Sequence, residues 1–364
     1  MKALVTGSKG FIGKHLVLRL KENDYEVLEY GRNDNDLEEK INDVDIIFHL
    51  AGINRTNNMD DFQSVNVGLT EEIIRLIEKT HRVIPVVFSS TKQVLLDNPY
   101  GKSKKNAEEL LLKFNEDYQN PTYIFRLPGV FGKWSKPYYN TVVATFIDQL
   151  HHNENPTIDD ANSALELIYI DRVIDMFVES MNHKLKPGVQ EINNTYQLSV
   201  GELADYLINI HRSDLNCMIP DLKSPLIKDL YSTYISFKPM KYLEKKLKVN
   251  KDDRGTFTEI LKTLDNGQFS VNITKPGITK GNHYHHHKHE KFLVVSGHGV
   301  IQLRNKKTGQ FSEISTSDEK LVLIDIPPGT VHNMRNVGET DLVTLMWANE
   351  VFEKDAPDTI YEKV

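Results

Sequence analysis

Ala3-Leu4-Val5-Thr6-Gly7-Ser8-Lys9-Gly10-Phe11-Ile12-Gly13 decides how the first half of this chain folds. An apolar strand runs into a glycine-rich turn, and a helical pattern opens at Ile12. Glycines at 7, 10 and 13 permit a tight turn and a close backbone approach to a pyrophosphate. The N–H groups and positive dipole of the helix start would hold that anion. A plain strand-to-helix turn would look the same, so the flanking sequence matters. Strand-like runs at Lys2–Thr6, Glu26–Tyr30, Ile46–Leu50, Pro85–Ser89 and Thr122–Arg126 alternate with helical stretches such as Ile12–Lys21, Thr70–Lys79 and Ser103–Glu116. The alternation predicts an α/β fold, a doubly wound parallel sheet with helices on both faces.

The second strand ends at Tyr30-Gly31-Arg32-Asn33. An acid there would bind a ribose 2′-hydroxyl; Arg32, with Lys9, instead points to a 2′-phosphate and so to NADPH. Further on, Phe88-Ser89-Ser90-Thr91 closes a strand and Tyr100-Gly101-Lys102-Ser103-Lys104 follows. Tyr100 and Lys104 are four apart, on one helical face. An ammonium nearby favours the phenolate, which would bring the tyrosine down toward neutral pH. Such a tyrosine can protonate a ketone oxygen while hydride reaches the carbon. A hydroxyl from Ser90 or Thr91 would orient the same oxygen.

From about Asp252 the pattern changes to short alternating segments: Thr256–Ile260, Phe269–Thr274, Phe292–Ser296, Gly299–Arg304, Leu321–Ile326 and Thr340–Ala348. Gly, Pro and Asn punctuate them, predicting an all-β barrel or sandwich. Within it lies His283-Tyr284-His285-His286-His287-Lys288-His289-Glu290, with Pro327-Pro328-Gly329-Thr330-Val331-His332 downstream. Imidazoles with a carboxylate suit a divalent metal, and zinc, manganese, iron or nickel would all accept this donor set. Residues 200–248 read as helical and charged, and the basic end from Lys241 to Lys248 as a solvated helix face approaching a linker. Two domains are expected, 1–248 and 252–364.

The net charge of −7 over 364 residues argues against a nucleic-acid partner. One cysteine, Cys217, excludes an internal disulfide. With no leader pattern and no apolar run near the roughly 18 residues of a membrane span, a cytoplasmic protein without membrane contact is expected.

Taken together, these motifs resemble known families. Thr6-Gly7-x2-Gly10-x2-Gly13, His49-Leu50-Ala51-Gly52, Asn66-Val67, Ser89-Ser90-Thr91, Tyr100 with Lys104, Arg126-Leu127-Pro128-Gly129-Val130-Phe131-Gly132 and Tyr169-Ile170-Asp171-Arg172-Val173 resemble the extended short-chain dehydrogenase/reductases of nucleotide sugars. The resemblance implies Tyr100 as acid/base, Thr91 as the third hydroxyl with Ser90 the alternative, and Lys104 on the nicotinamide ribose. It implies a dinucleotide bound by Gly7, Lys9, Gly10, Phe11, Ile12, Gly13, Arg32, Leu50, Ala51 and Gly52. Val94-Leu95-Leu96 departs from the Val-Tyr-Gly of many relatives.

Gly277-x5-His283-x-His285-x4-Glu290-x6-Gly297 and Pro327-x-Gly329-x2-His332-x3-Asn336 match the two cupin motifs. That likeness implies one divalent metal, zinc the first choice, on His283, His285, Glu290 and His332. His289 is the alternative to Glu290. Asp253-Arg254-Gly255-Thr256-Phe257-Thr258-Glu259, followed by Gly281-Asn282-His283-Tyr284, resembles the cupin-class deoxysugar-nucleotide epimerases, in which the Arg and Glu hold the nucleotide and the His removes a proton beside a ketone; His283 thus carries two implied roles, of which the ligand is preferred. There, Lys and Tyr stand where this chain has Glu290 and Met346-Trp347. The whole chain resembles the CapF-type enzymes of bacterial capsule biosynthesis. The likeness implies a homodimer acting on a UDP-linked 4-keto-6-deoxy-N-acetylhexosamine, with C3 epimerisation by the cupin domain and then C4 reduction by NADPH. The alternative is a single-function ketosugar reductase with a metal-braced cupin module.

Overall fold

Alternate residues of each N-terminal strand feed two different cores in the computed structural model, which describes residues 1–364 apart from 183, 184, 264, 354 and 356. Ala3, Val5, Ile46, Phe48, Val87 and Phe125 meet the helices Phe11–Glu22 and Ile170–Ser180 on one face. Leu4, Ile47, Val86, Phe88 and Ile124 meet Leu37–Asn42, Gly68–Thr80 and Pro99–Tyr118 on the other. The period of two is that of a strand buried on both sides. The sheet has six strands, all parallel, in the order Glu26–Tyr30, Lys2–Thr6, Ile46–His49, Val86–Thr91, Thr122–Leu127, Gly188–Gln190. The expected doubly wound fold is present, with strand ends within one or two residues. A small sheet of Gly129–Phe131, Ala164–Tyr169 and Tyr196–Ser199 was not foreseen.

The C-terminal part contains a seven-stranded and a five-stranded sheet. Phe292, Val294, Ile324, Ile326 and Leu342 of the first interleave with Ile301 and Met334 of the second, so the sheets pack face to face as in a cupin barrel. Several of its strands lay outside the expected set, among them Phe311–Ser317 and the pair Thr279–Tyr284 and Thr330–Asn336. They are rich in polar residues and lack the alternation that betrays a half-buried strand.

Contacts group Met1–Leu207 with Ser232–Phe237, and Ile208–Tyr231 with Lys238–Val364. Residues 208–231 and 238–248 thus cluster with the β unit. The helical reading of the basic run is corrected: helices occupy Val200–Leu215 and Pro225–Ser236, Met240–Tyr242 form a single 3-10 turn, and residues 243–248 have no regular structure. Lysines three and four apart repel along a helix, and the chain straightens into the strand Val249–Asp252, which pairs with Gly255–Thr263.

Candidate functional site

In the N-terminal unit the glycine turn closes tightly on the next strand end. Gly7 has φ +68°, and a Cβ there would lie 2.8 Å from the Cα of Ala51. A Cβ on Gly13 would sit 2.2 Å from the Gly7 carbonyl oxygen. The N–H of Gly10 donates to that oxygen at 2.9 Å. Helix Phe11–Glu22 then starts with no side-chain cap and no acid in its first turn, so its N–H groups face outward unanswered. The cradle fits a dinucleotide pyrophosphate, with Gly7, Lys9, Gly10, Phe11, Ile12 and Gly13 forming the turn and Leu50-Ala51-Gly52 abutting it. Arg32 is exposed at the end of Glu26–Tyr30, beside a turn in which Gly31 N–H donates to Asp34 Oδ2 at 2.9 Å.

Behind this cradle runs a chain of hydrogen bonds that sequence spacing did not reveal. Ala51 N–H donates to Thr6 Oγ1 (3.1 Å), which lies 2.9 Å from His49 Nδ1, while His49 Nε2 lies 3.0 Å from Thr70 Oγ1. Thr70 donates to the Asn66 carbonyl (2.8 Å), so the ring carries its proton on Nε2 and accepts from Thr6. Burial, with the Lys104 charge adding, pushes His49 down to about 3 and keeps it neutral.

Helix Pro99–Tyr118 starts on an Asn98 cap, whose Oδ1 accepts from Gly101 N–H at 2.7 Å. A Cβ at Gly101 would meet the Gln93 carbonyl at 2.1 Å, so glycine lets the first turn press against 93–96 and brings Tyr100 to Thr91. The Thr91 hydroxyl is the polar side chain that acts on the Tyr100 phenol, favouring its ionised form. Ser90 is committed elsewhere: its hydroxyl donates to Glu108, which also takes Arg126 Nη2 at 2.7 Å. Lys104 is buried, with Nζ 3.9 Å from the Phe88 ring centroid and near Gly52. The expected drop in the Tyr100 pKa is corrected. Burial raises it to about 12 despite Thr91, and burial lowers Lys104 to about 7 despite Glu108. Desolvation outweighs the favourable partners at both groups, so the tyrosine is a phenol over the working pH range. Glu108 continues the Tyr100–Lys104 helical line by one more turn, a signal the spacing did hold. Leu95 and Leu96, where the motif departs, are exposed.

In the C-terminal unit His283 and His332 face each other across paired strands, and His285 and Glu290 complete a group whose donor atoms lie within 4.8 Å of one another. Nδ1 of His332 lies 3.1 Å from the Thr330 carbonyl and Nδ1 of His285 bonds the Asp358 carbonyl. Both rings therefore carry hydrogen on Nδ1 and, as neutral imidazoles, turn a lone pair inward on Nε2. Those Nε2 atoms lie 3.4 Å (His285) and 3.2 Å (His332) from Glu290 Oε2, yet all three atoms are buried with no aligned hydrogen-bond partner. Inward electron pairs without a shared proton are what a cation would satisfy, so the set fits a divalent metal. Burial opposes ionisation of Glu290, and positive charge on the two imidazoles, when they are protonated, holds its carboxyl well below the usual range. Burial brings His283 down to about 4.

The other histidines lie outside this group. His289 packs on Trp347 (ring centroids 5.0 Å), so Glu290 and not His289 faces the cluster. Asp358 accepts the backbone N–H of His286, His287 and Lys288 at 2.8–2.9 Å and fixes the loop. It lies 70 residues or more away, where no spacing could announce it.

The cluster opens on a cavity of about 1090 Å³ that Arg254, Glu259 and Lys280 also line. Arg254 is paired with Asp252 (2.7 Å) and Glu259 with Lys262 (2.6 Å). A bulge between Gly281 and His283 turns Lys280 onto the face of His283. The Lys280 ammonium donates to Asn272 Oδ1 (2.8 Å), the Ile273 carbonyl (2.9 Å) and the Thr256 carbonyl (3.3 Å).

Residues 3–194 match the NAD dependent epimerase/dehydratase family, and residues 250–360 match the polysaccharide biosynthesis C-terminal domain. A Pseudomonas aeruginosa protein named UDP-2-acetamido-2,6-beta-L-arabino-hexul-4-ose reductase is 43% identical over 99% of this chain and 98% of its own length. A putative UDP-glucose 4-epimerase of Methanocaldococcus jannaschii is 30% identical over 46% of the chain and 69% of its own. The crystal structure of the capsular polysaccharide assembling protein CapF from Staphylococcus aureus superposes with a TM-score of 0.93 and 41% identity, covering 100% of both chains. Among the described residues no helix is long and apolar enough to cross a membrane. A reductase-type dinucleotide cradle and a metal-competent β domain, matched along their whole length, make this chain a CapF-type member of the NAD dependent epimerase/dehydratase family, an enzyme of the UDP-sugar reductase/epimerase kind that uses a nicotinamide cofactor.

Proposed function

We propose that the chain is bifunctional. The β domain (252–364) epimerises C3 of a UDP-4-keto-6-deoxy-N-acetylhexosamine, and the N-terminal domain (1–248) then reduces C4, giving UDP-N-acetyl-6-deoxy-L-talosamine for capsule N-acetyl-L-fucosamine. The order follows from chemistry: the C4 ketone acidifies the C3 proton, and reduction removes that ketone. The observation that carries the reading is Tyr100, a phenol kept protonated by burial, with Thr91 acting on its hydroxyl, on the helix that also places Lys104 near Gly52. Tyr100 gives its proton to the C4 oxygen, Thr91 orients that oxygen, and Lys104 holds the cofactor ribose. A bound NADPH supplies the hydride, and Arg32 with Lys9 is the choice for its 2′-phosphate.

For the β domain, the support is a cavity of nucleotide-sugar size that joins Arg254 and Glu259 to the His283 cluster. His283, His285, Glu290 and His332 would hold one zinc ion, which would polarise the sugar carbonyl or brace the site. We place the enzyme in the cytoplasm as a homodimer. A second reading keeps only the reductase and makes the metal domain structural; the Pseudomonas relative's name, which gives a reductase alone, favours it. Product analysis separates the two. With ketosugar and excess NADPH, NMR should show a product that carries a new hydroxyl at C4 and is inverted at C3 relative to the supplied ketosugar. Retention at C3 would leave the single-function reductase.

A further inference from the structure

The basic run ahead of the β domain has no role in the chemistry above, yet it passes along the mouth of the metal-bearing cavity. Lys245, Lys246, Lys248 and Lys251 all line that cavity. The cations around it differ in their partners. Arg254 is paired with Asp252 at 2.7 Å and Lys262 with Glu259 at 2.6 Å, so neither pair brings net charge. Lys280 is held by three protein oxygens. Lys245 donates to the Asp214 carbonyl, and Lys288 is buried with its ammonium 5.7 Å from the Phe352 ring centroid. Lys246, Lys248 and Lys251 are exposed and meet no carboxylate within 4.0 Å among the described residues. Three unanswered ammonium groups within six residues stand out on a chain of net charge −7. Like charges set together at a cavity mouth repel one another and draw in an anion.

We infer that Lys246, Lys248 and Lys251 form the subsite for the diphosphate of a nucleotide sugar entering this cavity. The inference rests on the reading of the cavity as a nucleotide-sugar site. The diphosphate is doubly negative, and Arg254, already neutralised by Asp252, cannot balance it alone. Lys246 and Lys248 are two residues apart in a segment without helix, so both ammonium groups can reach one diphosphate.

Site-resolved acetylation of the full-length protein, read by mass spectrometry, tests this without requiring turnover. UDP-N-acetylglucosamine at millimolar concentration should slow acetylation of Lys246, Lys248 and Lys251 by about fivefold or more, as expected for ammonium groups engaged by phosphate. Uridine should leave them unchanged, and exposed Lys307 and Lys320 should be unaffected by either. No protection, or equal protection by uridine, overturns the subsite. In the C3 exchange assay, K246A/K248A/K251A should raise KM by about tenfold, or about 1.4 kcal/mol, with kcat within about twofold; an unchanged KM also overturns it. If the wild-type protein shows protection but no C3 exchange, the epimerase reading fails and the subsite stands.

Discussion

Around Tyr100 the polar side chains answer one another: Thr91 acts on the Tyr100 hydroxyl, and Ser90, Glu108 and Arg126 form a closed set whose Glu108 charge acts on Lys104. Around His283 three buried atoms, Nε2 of His285 and His332 and Oε2 of Glu290, point inward with no aligned partner. The first site is electrostatically complete and asks only for reactants. The second gathers donor atoms that call for positive charge, from a metal ion or from a proton on an imidazole, because three electron pairs aimed at one point repel. Burial disfavours the charged form at both, with different outcomes. It keeps Tyr100 neutral and ready to donate, whereas at Glu290 positive charge on its neighbours overcomes burial and keeps the carboxylate ionised.

Four tests can break or sharpen this contrast. Tyr100→Phe should cut NADPH-dependent reduction by about 10³-fold, within the range for removal of a general acid, and leave C3 exchange intact. A parallel loss of exchange would mean that one site serves both reactions. His332→Ala should lower bound metal from about one equivalent per chain to below about 0.1 by elemental analysis, as expected when a structural ligand set loses a donor, with reduction by the Tyr100 site preserved. Undiminished metal would remove the cluster as its holder.

Lys104 gives a pH signature. Its folded pKa of about 7 lies below the ordinary 10.5. Between those values the folded chain binds fewer protons than the unfolded one. Stability therefore rises with pH through that window, by at most about 1.4 kcal/mol per pH unit, and is lost as pH falls toward 7. Urea titrations at pH 7 and 9 should show Lys104→Met relatively more stable at the lower pH; a difference independent of pH would contradict the buried ammonium. The smallest effect separates the two hydroxyls. Thr91→Val should slow reduction by about tenfold, while Ser90→Ala should cost about 1 kcal/mol of stability and change the rate less than Thr91→Val does. The reverse order would exchange their roles.

What the sequence could show follows the same divide. Tyr100 and Lys104 are one helical turn apart and Gly7 to Gly13 form one turn, so local spacing reveals them. The metal set joins His283 and His285 to His332 across a strand pair, and was legible because two separate motifs each keep their own spacing. The strands that carry it were not, since polar residues facing a cavity erase the alternating pattern. Asp358 and the Thr6–His49–Thr70 chain were invisible because only tertiary folding brings them together. The pKa of Tyr100 was misjudged because spacing shows a neighbouring charge but not the burial that outweighs it.

The separation of the two chemistries is tested most directly by incubating the UDP-4-keto-6-deoxy-N-acetylhexosamine with the full-length protein in D2O without NADPH and following C3 by proton NMR. Two-site chemistry predicts that the C3 proton signal disappears as deuterium enters, although no sugar is reduced. A C3 signal that stays at full intensity, with a preparation that oxidises NADPH normally on the same sugar, would contradict it and leave the chain a single-function reductase.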